Sequence, residues 1–295
     1  VRVVANGIGI EVDDAGPPDG EPLLLVMGLA MQLVAWPDEL LDALRRRGFR
    51  PIRFDNRDIG LSQWFDALGV PSVAWAALRY GLRLPVRAPY SLADMAADTV
   101  GVLDALGLPR VHLCGASMGG MIAQHVAAAH PGRVKSLTLM MTTSGARSLP
   151  PPAPAVRRAL LQRPRADDPA GALALMQQLL TLIASPAYPP HPQALRRRIA
   201  ASIERAYHPA GATRQLLAVI ADGDRSPLLR RIAAPTLVLH GRDDPLVRVA
   251  AAHDLVRKIP DAGIEVIPGW GHDLPPALMP RLADAIARHA ERAAG

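Results

Sequence analysis

A serine with glycine two positions away on either side, Gly115-Ala116-Ser117-Met118-Gly119, follows the short apolar run Val111-His112-Leu113-Cys114 and opens a helix-like stretch from Met121 to Ala129. Strand, glycine-flanked serine and helix in that order make a nucleophile elbow. On so tight a turn the serine adopts strained backbone geometry. Side chains two positions either side would clash, which gives both glycines a steric task. The turn lifts the hydroxyl above the sheet and leaves it at a helix N-terminus, where backbone N–H groups can hold an anion.

A serine hydroxyl is a weak nucleophile at neutral pH and needs an adjacent base. Among nine histidines, His272 lies in Gly269-Trp270-Gly271-His272-Asp273, just after the last expected strand. A glycine-flanked loop there can carry an imidazole over the C-terminal edge of a sheet. His112, His125 and His130 sit within the strand before Ser117 or along the helix after it, and read as structural. The base in turn needs a carboxylate to hold its tautomer and stabilise the imidazolium. His240-Gly241-Arg242-Asp243-Asp244-Pro245 ends the preceding strand and offers two. One helix and one strand separate Asp244 from His272, so both loops leave the same edge. Asp243 suits capping of the next helix, before Arg248, and Asp273 is badly placed to reach back to the ring beside it.

Charge that develops on a carbonyl oxygen requires preorganised N–H donors, each worth about 3–4 kcal/mol. The backbone N–H of Met118, next to the nucleophile, is one candidate. The other is Leu29, in the Gly28-Leu29 loop after the strand ending at Met27. No His-Glu-x-x-His and no cysteine pair is present, so no metal is expected. Gly7-x-Gly9 lacks the third glycine and the helix of a dinucleotide site, so no cofactor is expected either.

The elements that must position these groups alternate as in an α/β domain with a mainly parallel sheet. Residues 1–5 and 8–13 read as a hairpin turning at Asn6-Gly7. Strands are expected over 23–27, 51–55, 110–115, 134–141, 235–240 and 264–267. Helices are expected over 37–47, 91–106, 118–129, 248–259 and 277–293. Ser91, with Asp94 three positions on and Gly107 beyond the end, caps the second of these. Residues 62–90 form a long connection of the kind that contributes to a binding site or carries short helices of its own. Residues 145–231 show no clear strand, begin with a proline-rich run, and contain amphipathic stretches over 171–184 and 193–207. They read as a helical cap (lid) inserted into a core made of residues 1–144 and 232–295.

With 295 residues and 49% hydrophobic content the chain can bury one large core. No apolar run approaches the roughly 20 residues needed to cross a bilayer. Val1 to Gly7 carries no apolar segment followed by a small-residue cleavage site, so no secretory signal is expected, although the absent initiator methionine leaves an upstream leader open. The single cysteine, Cys114, excludes an intrachain disulfide, suits a cytoplasmic location and reads as a packed core thiol. The formal charge of +6 is almost all arginine, since Lys135 and Lys258 are the only lysines. Its densest runs are Arg196-Arg197-Arg198, Arg157-Arg158 and Arg163-x-Arg165. Without interleaved aromatics they read as solvated helix faces rather than a nucleic-acid surface. A homo-oligomer stays open.

With these parts in hand, the chain resembles an α/β-hydrolase-fold esterase over nearly its whole length. The order Ser117, Asp244, His272 is that of the fold, and its Gly-x-x-Asp acid motif matches Gly241-x-x-Asp244, which favours Asp244 over Asp243. Its His-Gly pair before the oxyanion residue is here Met27-Gly28. Its Asp-x-Arg-Gly-x-Gly-x-Ser segment is Asp55-Asn56-Arg57-Asp58-Ile59-Gly60-Leu61-Ser62, with Asp58 in place of a glycine. The Met-Gly pair, Trp36-Pro37-Asp38-Glu39 and the Arg-Asp departure are most similar to the polyketide (anthracycline) methylesterase subgroup. The resemblance implies a carboxylic-ester hydrolase working through an acyl-enzyme, on a small-molecule ester. Leu173, Leu175, Met176, Leu179 and Leu180 of the cap suggest that this ester has a hydrophobic body. A cofactor-free haloperoxidase-like perhydrolase or a carbon–carbon bond hydrolase would use the same triad, and a ligand-binding protein that lost turnover would keep the fold. Ser117 argues against members of the fold that use an aspartate nucleophile. Activity is expected to fall in acid as His272 takes up a proton.

Overall fold

A strand with apolar residues at every second position buries one face, and a strand of continuous apolar residues buries both. In the computed structural model, which describes residues 1–14, 16–162 and 168–294, eight strands make one sheet. They are β1 (Arg2–Ala5), β2 (Ile8–Asp13), β3 (Glu21–Val26), β4 (Phe49–Phe54), β5 (Val111–Ala116), β6 (Val134–Met140), β7 (Thr236–Gly241) and β8 (Gly263–Ile267). Their order across the sheet is β1-β2-β4-β3-β5-β6-β7-β8. The β1–β2 hairpin runs antiparallel, as does its pairing with β4; every other ladder is parallel. Asn6 and Gly7, with φ of 51° and 77°, supply the two left-handed residues that a tight hairpin requires.

The period of two is visible in the packing. Leu23 and Leu25 of β3, with Leu237 and Leu239 of β7, pack beneath α1 (Asp38–Arg45) and α11 (Met279–Ala294). Leu24, Val26 and Val238 point the other way, into the layer of α3 (Leu92–Ala105), α4 (Met118–Ala129) and α10 (Ala250–Lys258). Each such fully buried side chain is worth about 1.5–3 kcal/mol. Ser91 and Asp94 close a reciprocal capping box at the start of α3. The expected strands and helices recur with ends shifted by one or two residues, the range over which helix and strand termini are ill-defined.

The connection after β4 carries its own helix, α2 (Val73–Gly81). Between β6 and β7 lie α5 (Pro154–Leu161), α6 (Pro169–Leu182), α7 (Pro192–Arg205), α8 (Pro209–Asp222) and the short α9 (Ser226–Leu229), with no strand among the described residues. The first four of these each open on a proline, whose fixed φ suits the first helical turn and whose missing N–H costs nothing there. Arg157, Arg158 and Arg196 to Arg198 are exposed, as expected; Arg163 and Arg165 lie outside the described residues.

Polar side chains join α7 and α8 to the loops after β3 and β4. Gln32 donates to the carbonyls of Ser202 and Ala206, and Arg205 donates to Asp55. Gln215 donates to the Arg57 carbonyl while accepting from the Ala30 N–H. Asp58, at φ 70°, occupies the left-handed conformation that a glycine would otherwise fill. Its buried carboxylate takes a two-pronged contact from Arg214, at 2.6 and 2.8 Å, and a hydrogen bond from the Tyr90 hydroxyl. A buried carboxylate is tolerable only with such partners.

Candidate active site

Ser117 sits between β5 and α4 with φ 55° and ψ −118°. Its surroundings explain the glycines. A Cβ at residue 119 would stand 2.0 Å from the Val26 carbonyl oxygen, and one at residue 115 would stand 2.3 Å from that of Gly119. β3, the turn and the first turn of α4 therefore pack backbone against backbone. Gly28, after β3, is less tightly confined: its Cβ would lie 3.2 Å from the Cβ of Ser117.

The loops after β5, β7 and β8 bring three side chains together at the C-terminal edge of the sheet. His272 Nε2 lies 3.0 Å from Ser117 Oγ, and His272 Nδ1 lies 2.6 Å from Asp244 Oδ2. Asp244 is buried, and its second oxygen accepts from the N–H groups of Leu246 and Val247, both at 2.8 Å. An ionised carboxylate only accepts, so the ring proton belongs on Nδ1 and Nε2 is left to accept from the serine hydroxyl. Gly241 matters here as well, because a Cβ on it would strike the Trp270 carbonyl at 2.1 Å and push the two loops apart.

Leu29 and Met118 flank the serine from the loop after β3 and from the start of α4. Neither N–H donates a hydrogen bond to another described residue, whereas the neighbouring Ala30 N–H is taken by Gln215. The Ser117 N–H is occupied by the Met140 carbonyl, and its own carbonyl accepts from Thr142.

Asp243 departs from the expected role. It does not cap the helix before which it lies; its carboxylate accepts from the Gly269 N–H at 2.7 Å and steadies the histidine loop from outside. Asp273 turns away from His272, as expected, toward Ser185, accepting from both its N–H and its hydroxyl. His112 hydrogen-bonds Ser136, and His125 meets Asp222 at 2.9 Å, so both are structural. Cys114 is buried against the Met140 sulfur, and burial pushes its thiol up to about 12.

Two features of the site escape sequence reasoning. One is the segment after α6. The Ile183 carbonyl accepts from the His272 N–H at 2.7 Å, and the Ser185 hydroxyl accepts from the Gly271 N–H at 2.9 Å. These are contacts across some 90 residues of chain, with no local signal. The other is His240 at the end of β7, whose Nε2 donates to the Val247 carbonyl at 2.8 Å and lies 3.6 Å from Asp244. Burial lowers its pKa and keeps the ring neutral. The sequence shows it only as the residue before Gly241.

A serine on a strained strand-to-helix turn of a mostly parallel sheet, with a histidine and a carboxylate on later loops of the same edge, has the architecture of the α/β hydrolases. The chain belongs to the alpha/beta hydrolase fold family, whose model matches residues 21–275. It is 32% identical to "Putative carbamate hydrolase RutD" of Variovorax paradoxus over 87% of this chain and 86% of that protein. It is 28% identical to the rhodomycin D methylesterase DnrP of Streptomyces peucetius over 99% of this chain and 98% of that one. Among solved structures, the meta-cleavage product hydrolase CumD of Pseudomonas fluorescens IP01 superposes with a TM-score of 0.77 at 18% identity, covering 99% of this chain and 98% of its own. The methylesterase subgroup named from the Met-Gly and Arg-Asp motifs is thus among the relatives. The protein is a hydrolase.

Proposed function

We propose that this hydrolase cleaves a carboxylic ester through an acyl-enzyme, with Ser117 as nucleophile, His272 as general base and then acid, and Asp244 as the carboxylate that holds the imidazole. The observation that carries the reading is the continuous hydrogen-bonded relay from Ser117 Oγ through both ring nitrogens of His272 to Asp244, at 3.0 and 2.6 Å. His272 takes the hydroxyl proton as Oγ attacks the ester carbonyl. The oxyanion is met by the N–H groups of Met118 and Leu29, and the proton passes to the departing alcohol. Water, activated by the same ring, then releases the acid.

Residues 145–231 act in this reading as a cap that covers the site and selects the substrate. The partly buried Leu173, Leu175, Met176, Leu179 and Leu180 of α6 favour an ester with a hydrophobic body. The similarity to a methylesterase along the whole chain supports an ester as the substrate. The test is turnover of p-nitrophenyl esters of increasing chain length beside bulky methyl esters and a matching carbamate, for wild type and Ser117→Ala. The expected outcome is preferential ester turnover that falls by at least about 10⁴-fold in a folded Ser117→Ala protein. An unchanged rate in the variant rejects the nucleophile. Product analysis with and without peroxide and halide separates a perhydrolase, and a diketone substrate separates a carbon–carbon bond hydrolase.

A further inference from the structure

The connection after β4 turns its apolar side chains outward. On α2 and the residue that ends it, Trp75, Leu78 and Leu82 recur at i, i+3 and i+7 and so share one stripe. They are 58%, 51% and 61% exposed, whereas Ala76 on the other side is buried. A surface helix of a globular protein points its apolar stripe at the core; here Val73, Ala76 and Tyr80 do so, and a second apolar stripe faces outward. Leu68, Val70 and Leu84 continue the exposed surface on either side. Among the described residues, eight of the thirteen large apolar side chains that are exposed fall between residues 61 and 84. Exposed apolar residues scattered singly need no explanation, but a concentration of this kind marks a contact surface.

The charge of the same stretch says what it contacts. From residue 67 to residue 93 there is no acidic residue, while Arg79, Arg83 and Arg87 follow one another at intervals of four. Arg83 and Arg87 are exposed. Arg79 donates to the Pro85 carbonyl, and Arg147 lies against Tyr80, donating to its carbonyl and stacking over its ring. None of these four guanidinium groups pairs with a carboxylate among the described residues. A second copy of the chain docking with this stripe on a two-fold axis would bring these arginines close to their own copies. An anionic surface meets them with opposite charge.

We propose that α2 and its flanks are an interfacial surface that seats the protein on an anionic phospholipid bilayer. Trp75, Leu78 and Leu82 enter the boundary between headgroups and acyl chains, and Arg79, Arg83 and Arg87 meet the phosphates. The connection leaves the C-terminal end of β4, the edge that carries Ser117, and α2 packs on α8. Nothing in this inference depends on the reaction catalysed.

The test is co-sedimentation of the full chain with vesicles of phosphatidylcholine and phosphatidylglycerol at about 3:1, beside pure phosphatidylcholine, at low salt and at about 0.5 M NaCl. Wild type is expected to bind the anionic vesicles at least about tenfold more tightly than the neutral ones, and to lose most of that preference in high salt. Trp75→Ser/Leu78→Ser/Leu82→Ser is expected to lose binding at least about tenfold, and Arg79→Gln/Arg83→Gln/Arg87→Gln to lose the preference for anionic lipid. Both should keep the wild-type melting temperature and their hydrolysis of a soluble p-nitrophenyl ester. Failure of wild type to bind anionic vesicles overturns the proposal, as does equal binding by the serine variant. A lipid-free dimer in sedimentation equilibrium that the serine variant converts to monomer also overturns it, since the stripe is then covered by a second copy.

Discussion

Ser117 is held at a φ that a serine adopts only when its surroundings leave no alternative. Here the alternative is closed by backbone: Gly115 and Gly119 let β3, the turn and α4 approach to distances that any Cβ would forbid. At the other end of the relay, two adjacent aspartates compete for one role, and the geometry separates them. Asp244 is buried, with its hydrogen bonds to His272 and two backbone N–H groups, whereas Asp243 is exposed and holds the Gly269 N–H. Asp244→Asn keeps the shape but puts a donor where the imidazole N–H needs an acceptor, so kcat is expected to fall by about 10⁴-fold. Asp243→Asn loses only charge on a loop contact and is expected to change kcat by less than about tenfold. Steady-state kinetics on one good ester substrate for both variants decides between them.

At the scale of elements, the histidine loop is clamped from two sides. β7 approaches it through Gly241, and the turn after α6 grips it through Ile183 and Ser185. Ser185 is buried, donates to Asp273 and accepts from Gly271, so it fixes both neighbours of His272 without touching the ring. Ser185→Ala leaves the Gly271 N–H without its acceptor and frees the loop. The expected result is a fall of about tenfold in kcat with KM little changed, and a stability loss of about 1–2 kcal/mol in urea unfolding. Retention of full kcat would mean that the Ile183 carbonyl and β7 hold the loop without the Ser185 hydroxyl. This clamp also marks where sequence reading stops. The elbow, the Ser91 capping box and the Asn6-Gly7 hairpin are local: each follows from residues within a few positions of one another. Asp244 was legible through the spacing of one motif. Ser185 lies 88 positions from Asp273, and the pairing exists only because the turn after α6 packs on the loop after β8. Asp58 was legible as a carboxylate standing where a glycine belongs, yet nothing local could say that Arg214 answers it.

For the molecule as a whole, Asp58 and Arg214 are the pivot between the sheet and the helices inserted after β6. Burial disfavours the charged carboxylate, but hydrogen bonds from Arg214 and the Phe65 N–H outweigh it and hold the pKa of Asp58 below the ordinary range. Arg214→Met strands that charge and is expected to cost about 3–5 kcal/mol. Pairing it with Asp58→Gly, which suits the left-handed backbone, should recover most of the loss, as a double-mutant cycle in urea would show.

A second set of buried groups sets the response of the whole fold to acid. His112 on β5 is held at about 4 rather than 6.5, first by burial, with Lys135, His289 and Arg110 adding to it and Glu21 opposing. Burial lowers His240 on β7 and His289 on α11 in the same direction. All three gain a proton in the unfolded chain near pH 6.5, before they do so in the folded one. The unfolded state therefore binds more protons below that pH, and stability falls as pH falls, by up to about 1.4 kcal/mol per pH unit for each histidine. Over the whole window the His112 shift amounts to about 2–3 kcal/mol of stability lost on acidification. His112→Gln removes one titrating group and the contact to Ser136. It is expected to be less stable than wild type at pH 7, yet to lose stability more slowly between pH about 6.5 and about 4, by about 1 kcal/mol per unit. Urea unfolding of both proteins across that window measures the difference in slope. Parallel curves would mean that His112 is protonated in the folded protein as readily as in the unfolded one.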